Sequence, residues 1–146
     1  MNLSQYPSVS FSLTVSDIEA AMKFYKEAFG ANEDFRLTLP NGMIAHVEFS
    51  IGDTHVMLSG EFPEWGANAL KDGELAPCLF RIKTESSDDS YAKALAAGAT
   101  SVDEPTDQLW QIRTSVVSDP FGYRWVFAQS LGEVSPEELQ VEIDKM

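Results

Sequence analysis

The sequence predicts an α+β fold built from two copies of a β-α-β-β-β unit. Three observations carry this reading. First, "VSFSLTVSDIEAAMKFYKEAFGA" and "PCLFRIKTESSDDSYAKALAAGA" follow one order: a short strand, a polar helix start, an amphipathic helix, then Gly-Ala. Second, three strand-like runs follow each helix. Third, a shift of 69 residues, Ser10 to Leu79, superposes the first strands and the last strands of the copies. With 146 residues, 44% hydrophobic and 23% charged, the chain has the size and composition of one compact domain, 1–146. Units at 8–60 and 77–130 and a terminal helix at 135–146 are predicted within it.

Each element has a local cause. In the first strand Phe11, Leu13 and Val15 alternate with Ser10, Ser12 and Thr14, giving one apolar and one polar face. Ser16 and Glu19 predict a capping box for the first helix, Ile18, Met22, Tyr25 and Phe29 share one side of it, and Gly30 suits its left-handed end. The chain returns in "EDFRLTLP", "MIAHVEFSIG" and "THVMLSG". A two-residue turn at Gly52-Asp53 would pair Ser50 with His55, Glu48 with Met57 and His46 with Ser59, sending Val47, Phe49, Val56 and Leu58 to the core. The connection from Gly60 to Pro77 is long for a structureless one and reads as a lid or a dimer contact.

In the second unit Cys78, Phe80 and Ile82 alternate with Leu79, Arg81 and Lys83, and Cys78 reads as a small core residue. Ser86 or Ser87 caps the helix, Tyr91 and Leu95 form its stripe, and Gly98 ends it. The strands "TSVDEP", "IRTSVVSD" and "YRWVFAQ" follow, the last two joined by the turn Asp119-Pro120-Phe121-Gly122. Trp125 and Phe127 are assigned inward, leaving Arg124, Val126 and Ala128 on the other face. Ser135, Pro136 and Glu138 predict the capping box of the last helix.

Ten basic against 23 acidic side chains give a formal charge of −13, which repels nucleic-acid phosphates and anionic lipid, so neither is an expected partner. No apolar run approaches the roughly 18 residues that span a bilayer. The start "MNLSQYPS" lacks a signal-peptide pattern, and the single Cys78 excludes an internal disulfide. A cytoplasmic location is the resulting expectation.

Paired β-α-β-β-β units carrying "VSDIEAAMKFYKEAFGA" and "DPFGYRW" resemble the vicinal oxygen chelate superfamily of glyoxalase I, extradiol dioxygenases and bleomycin-resistance proteins. The resemblance covers roughly residues 8–130, and "AHVEFSIGD" with "DQLWQIR" and "DPFGYRW" is similar to the PhnB-like branch. It implies a curved mixed sheet around a cup, with helices on the convex side and a homodimer as the usual assembly. The positions matching the metal ligands of metal-dependent relatives are Ser10, Met57, Leu79 and Val126. None is His, Asp or Glu, and a divalent metal needs nitrogen or oxygen donors. Neither a metal nor a cofactor is therefore expected.

Other residues assigned to the cup are Ser12, His46, Glu48, His55, Arg81, Arg113 and Arg124, with Trp110 as a wall. His46, Glu48 and His55 admit three readings: a satisfied polar face, an acid–base pair that contacts ligand, or a displaced metal site. The arginines suit a carboxylate or phosphate of a ligand, or ion pairs within the protein, for example with Glu48. Gln111 stands where the family often carries Gly after Trp110. No nucleophile triad is evident from the sequence. The leading expectation is a metal-independent protein that binds or sequesters an unknown small molecule. The alternatives are a metal-dependent lyase, isomerase or dioxygenase with displaced ligands, and a partner-binding adaptor.

Overall fold

A computed structural model describes residues 3–146. The chain divides into two compact units, the first ending at Glu74 and the second beginning at Leu75.

The first unit contains β1 (Phe11–Thr14), α1 (Ile18–Phe29), β2 (Asn32–Thr38), β3 (Ile44–Ile51) and β4 (Thr54–Ser59). They form a four-stranded sheet in the order β1-β4-β3-β2, with β1 parallel to β4 and the other pairs antiparallel. The turn at Gly52 and Asp53 sets the β3–β4 register as expected: Ser50 opposite His55, Glu48 opposite Met57, His46 opposite Ser59. Val47, Phe49, Val56 and Leu58 are buried on the helix side. Tyr25 of α1 stacks on Phe49 at 5.4 Å and on Phe29 at 5.7 Å. Fully burying such side chains contributes about 1.5–3 kcal/mol each, so this aromatic layer fixes α1 on its sheet. Phe11 keeps 44% of its surface exposed although Leu13 and Val15 beyond it are buried.

The N-cap of α1 is Asp17, whose carboxylate accepts from the Ala20 N–H, and not Ser16. Starting the helix one residue later frees Glu19 from a capping box. Glu19 instead meets Arg36 of β2 at 2.6 Å, and Arg36 also holds Glu33 at 2.7 Å. Gly30 ends the helix at φ 65° as expected.

The second unit repeats the plan with β5 (Leu79–Lys83), α2 (Ser87–Ala97), β6 (Thr100–Gln108), β7 (Ile112–Ser118) and β8 (Arg124–Ser130), followed by α3 (Pro136–Ile143). The sheet order is β5-β8-β7-β6, again with one parallel pair, β5 with β8. Strand β6 runs past Pro105, beyond its predicted end, by accepting two register shifts against β7. Ser86 is the N-cap of α2. Ser87 is instead fully buried, bonded to Ser115 Oγ at 2.8 Å and donating to the Phe127 carbonyl at 3.1 Å. Cys78, expected in the core, is exposed because it precedes the paired part of β5. The β7–β8 turn is held by Asp119, whose carboxylate accepts from Phe121 N–H, Tyr123 N–H and Trp125 Nε1–H at 2.9–3.0 Å. Helix α3 has the expected capping box between Ser135 and Glu138.

The connection between the units carries a single 3-10 turn, Pro63–Trp65, with Phe62 stacked on Trp65 at 5.2 Å. Trp65 is 78% exposed. No helix among the described residues is long and apolar enough to cross a membrane.

Candidate functional site

Alternation along β3 and β4 leaves His46, Glu48, Ser50, His55 and Met57 on the sheet face away from α1. The structure brings three of them together around one carboxylate. Glu48 is only 3% exposed, and both of its oxygens are occupied. Oε1 receives His46 Nε2 and the Tyr6 hydroxyl, each at 3.0 Å, and Oε2 receives His55 Nε2 at 2.9 Å. The other nitrogen of His55, Nδ1, lies 3.0 Å from Ser10 Oγ. The Tyr6 ring packs against the His55 ring with centroids 5.0 Å apart.

The electrostatics follow from this count of donors. Burial pushes the Glu48 carboxyl up, but the bonds from His46, His55 and Tyr6 outweigh it and hold the group below its ordinary value of 4.5. The carboxylate is therefore ionised near neutrality and can only accept. Burial, and then the bond to Glu48, push the Tyr6 phenol above its ordinary 10.0, so Tyr6 stays the donor.

Tyr6 is the residue that sequence reasoning missed. It stands 42 positions before Glu48, beyond a short 3-10 turn at Leu3–Gln5, and no periodic pattern ties it to the sheet. A buried acid on the strand face away from the helix was the available signal, since such a group needs donors from somewhere.

This arrangement does not suit a metal. The Nε2 atoms of His46 and His55 each spend their hydrogen on a different Glu48 oxygen, so their lone pairs do not converge. No group of three or more His, Cys, Asp or Glu side chains that could hold a metal occurs among the described residues. The four positions inferred from metal-dependent relatives offer a hydroxyl at Ser10, a thioether at Met57 and hydrocarbon at Leu79 and Val126. That donor set does not fit a divalent ion.

In the second unit Leu79, Arg81 and Lys83 lie opposite Arg124, Val126 and Ala128 on the face away from α2. Leu79 is 54% exposed, and Val126 is buried. Arg124 donates from Nη2 to the Ala76 carbonyl at 3.2 Å, while its Nε is buried with no hydrogen-bond partner. Arg81 is exposed and forms no ion pair among the described residues.

Arg113 does not join these cations. It shares its strand side with Ser115 and Val117, which face α2, and it clamps Asp88 at 2.7 Å and Asp107 at 2.8 Å. Those bonds hold the Asp88 carboxyl below its ordinary range. Trp110 sits at the β6–β7 hairpin tip, 41% exposed, next to Gln111 at φ 55°. Ser12 is exposed on β1, opposite Met57.

Comparison with other proteins places this geometry in context. A sequence model of the Glyoxalase/Bleomycin resistance protein/Dioxygenase superfamily matches residues 8–127. An uncharacterized protein of Mycobacterium bovis is 35% identical over 143 residues, 96% of this chain and 94% of that protein. The structure of a hypothetical protein from S. aureus aligns with TM-score 0.68 at 25% identity, covering 86% of this chain and 94% of that one. The X-ray structure of an Arabidopsis thaliana gene product aligns with TM-score 0.69 at 24% identity, covering 85% and 99%.

Proposed function

The chain belongs to the glyoxalase/bleomycin resistance protein/dioxygenase superfamily, and from that premise we propose that it is a metal-independent protein that binds a small molecule. The observation carrying this reading is the donor chemistry at Ser10, Met57, Leu79 and Val126, which leaves no ligand set for a divalent ion. With metal chemistry set aside, binding falls to the strand faces away from the helices. The orphaned Nε of Arg124 and the unpaired Arg81 favour a ligand with an anionic or carbonyl group. The exposed Leu79 beside them suits an apolar body. A charge of −13 points instead to cationic ligands, but surface charges beyond about 8 Å are screened at physiological salt, while these arginines act at contact range.

Two measurements test this. Elemental analysis of protein purified without chelators should find no stoichiometric Zn, Ni, Mn or Fe. About one ion per chain, lost on substituting His46 or Glu48, would replace this reading with a metal-dependent enzyme. Arg81→Ala and Arg124→Ala should each weaken an anionic hit from a ligand screen by roughly 1.5–3 kcal/mol. Exclusively cationic hits, unaffected by both changes, would refute the ligand class.

Pairing with a second copy belongs to the same proposal. The exposed Trp65 stacked on Phe62 is costly in water and is covered in a dimer. Light scattering at high micromolar concentration checks this, since a mass of 16.1 kDa would mean a monomer.

A further inference from the structure

The geometry points to a nucleophile site made of Ser10, His55 and Glu48, which goes beyond reversible binding and stands on separate observations. Ser10 Oγ lies 3.0 Å from His55 Nδ1, and His55 Nε2 lies 2.9 Å from Glu48 Oε2. Glu48 is ionised and accepts only, so the hydrogen of a neutral His55 sits on Nε2. The lone pair of Nδ1 then faces Ser10, and the serine hydroxyl donates to it. A hydroxyl hydrogen-bonded to an imidazole that is oriented by a buried carboxylate has the connectivity of an activated serine, with the two ring nitrogens exchanged relative to the serine-protease arrangement.

The surroundings hold this chain of bonds in place. The second oxygen of Glu48 is fixed by Tyr6 and His46, so the carboxylate cannot turn away from His55. The Tyr6 ring packs on the imidazole and restrains its tilt. Ser10 as a residue is half-buried and not enclosed in the core, and labelling by a small reagent tests whether its hydroxyl can be reached. Glu48 is a positioning residue in this scheme, acting through His55.

The step balances within the cluster and its substrate, an activated ester or phosphoryl compound. Ser10 Oγ forms a bond to the carbonyl carbon while its proton passes to His55 Nδ1. The leaving alcohol departs with that proton as the ester C–O bond breaks. Water then cleaves the acyl-serine, giving the carboxylic acid and free Ser10. The polar hydrogens of Tyr6, His46 and His55 all point at Glu48, so the cluster itself gives no donor to the developing oxyanion. Covalent capture is therefore the sensitive readout, ahead of fast turnover.

The test treats the full chain with diisopropyl phosphorofluoridate, whose fluoride leaves as the Ser10 O–P bond forms. The products are followed by intact mass and peptide mapping. One adduct per chain, on Ser10, is expected, and Ser10→Ala should abolish it. His55→Gln, with folding confirmed by circular dichroism, should slow labelling by about a hundredfold or more. Glu48→Gln should slow it at least about tenfold, and Glu48→Asp, which restores the charge at a shorter reach, should recover part of the rate. Recovery by Asp separates a charge effect from a structural one, and it decides the matter if His55→Gln fails to fold. No adduct, an adduct elsewhere, or labelling at Ser10 indifferent to these variants would overturn the inference and leave the binding proposal untouched.

Discussion

The two units share strand order and register, yet corresponding positions carry opposite chemistry. On the helix side Phe49 lies opposite Val56 in the first unit, and Val117 lies opposite Trp125 in the second. The large ring has moved to the neighbouring strand while each pair keeps one large and one small side chain. Val47 opposite Leu58 becomes Ser115 opposite Phe127, where the larger side chain stays on the last strand while the size contrast widens, and the Ser115 hydroxyl is satisfied by Ser87. On the other face His46, Glu48 and His55 correspond to Thr114, Val116 and Arg124. The first unit thus closes a network around a carboxylate. The second places a guanidinium where no carboxylate answers it, which accounts for the orphaned Arg124 Nε. Volume is constrained wherever a helix covers the sheet, and the uncovered face is free to change charge.

Substitutions can break this comparison, beginning with the largest effect. Phe49→Ala removes the ring stacked on Tyr25 and should cost about 3–5 kcal/mol in urea denaturation. Val117→Ala at the matching place should cost only about 2 kcal/mol, because the ring there sits on β8. Equal losses would mean that the two helix–sheet interfaces are not built by the same exchange.

Next comes the transplant Glu48→Val, which installs the residue of the second unit. It leaves three donors without their acceptor and should cost about 1–3 kcal/mol at pH 7. The same change should flatten the acid dependence. Glu48 titrates lower in the folded chain than its ordinary 4.5, so its stabilisation is complete above that value. It is lost as pH falls through the lower folded value. Denaturation midpoints at pH 7 and pH 3 should therefore diverge less in the variant than in the parent.

The reverse transplant, Val116→Glu, offers Arg124 the carboxylate that it lacks. It should weaken an anionic ligand about tenfold, near 1.4 kcal/mol, by titration calorimetry. Unchanged affinity would show that Arg124 does not hold the anion.

The smallest expected effect lies in the hairpin turns. The first unit uses Gly42 at φ 86° before β3, whereas the second holds Gln111 at φ 55° before β7. Gln111→Gly should raise stability by about 0.5–1 kcal/mol, since a left-handed side chain costs more than glycine's added freedom. A loss instead would assign the Gln111 side chain a contact that outweighs the strain.

These contrasts also explain what could be read from the sequence. The β3–β4 register was legible because a two-residue turn leaves one pairing that buries Val47, Phe49, Val56 and Leu58. The same alternation put His46, Glu48 and His55 on one face. Tyr6 was illegible because its partner is remote in sequence. The side taken by Arg113 was illegible because "IRTSVVSD" has no clean alternation: the polar Ser115 takes the helix side, where Ser87 satisfies it, while the apolar Val116 takes the other face. Ser16 and Asp17 are both good caps, and local propensity does not choose between them. The choice of Asp17 leaves Glu19 for Arg36, a contact between helix and sheet.

The turn carboxylate of Asp119 bears on the order in which the second unit assembles. Its three donors all lie within six residues, so this knot closes with little loss of chain entropy. The parallel pairing of β5 with β8 must instead bring together residues such as Phe80 and Trp125, and a long loop has to close first. Trp125 belongs to both, as the partner of Asp119 through its indole and of Phe80 through the strand register. The β7–β8 hairpin is thus poised to form early and present β8 as the template on which β5 docks. In stopped-flow kinetics Asp119→Asn should mainly slow folding, whereas Phe80→Ala should mainly speed unfolding.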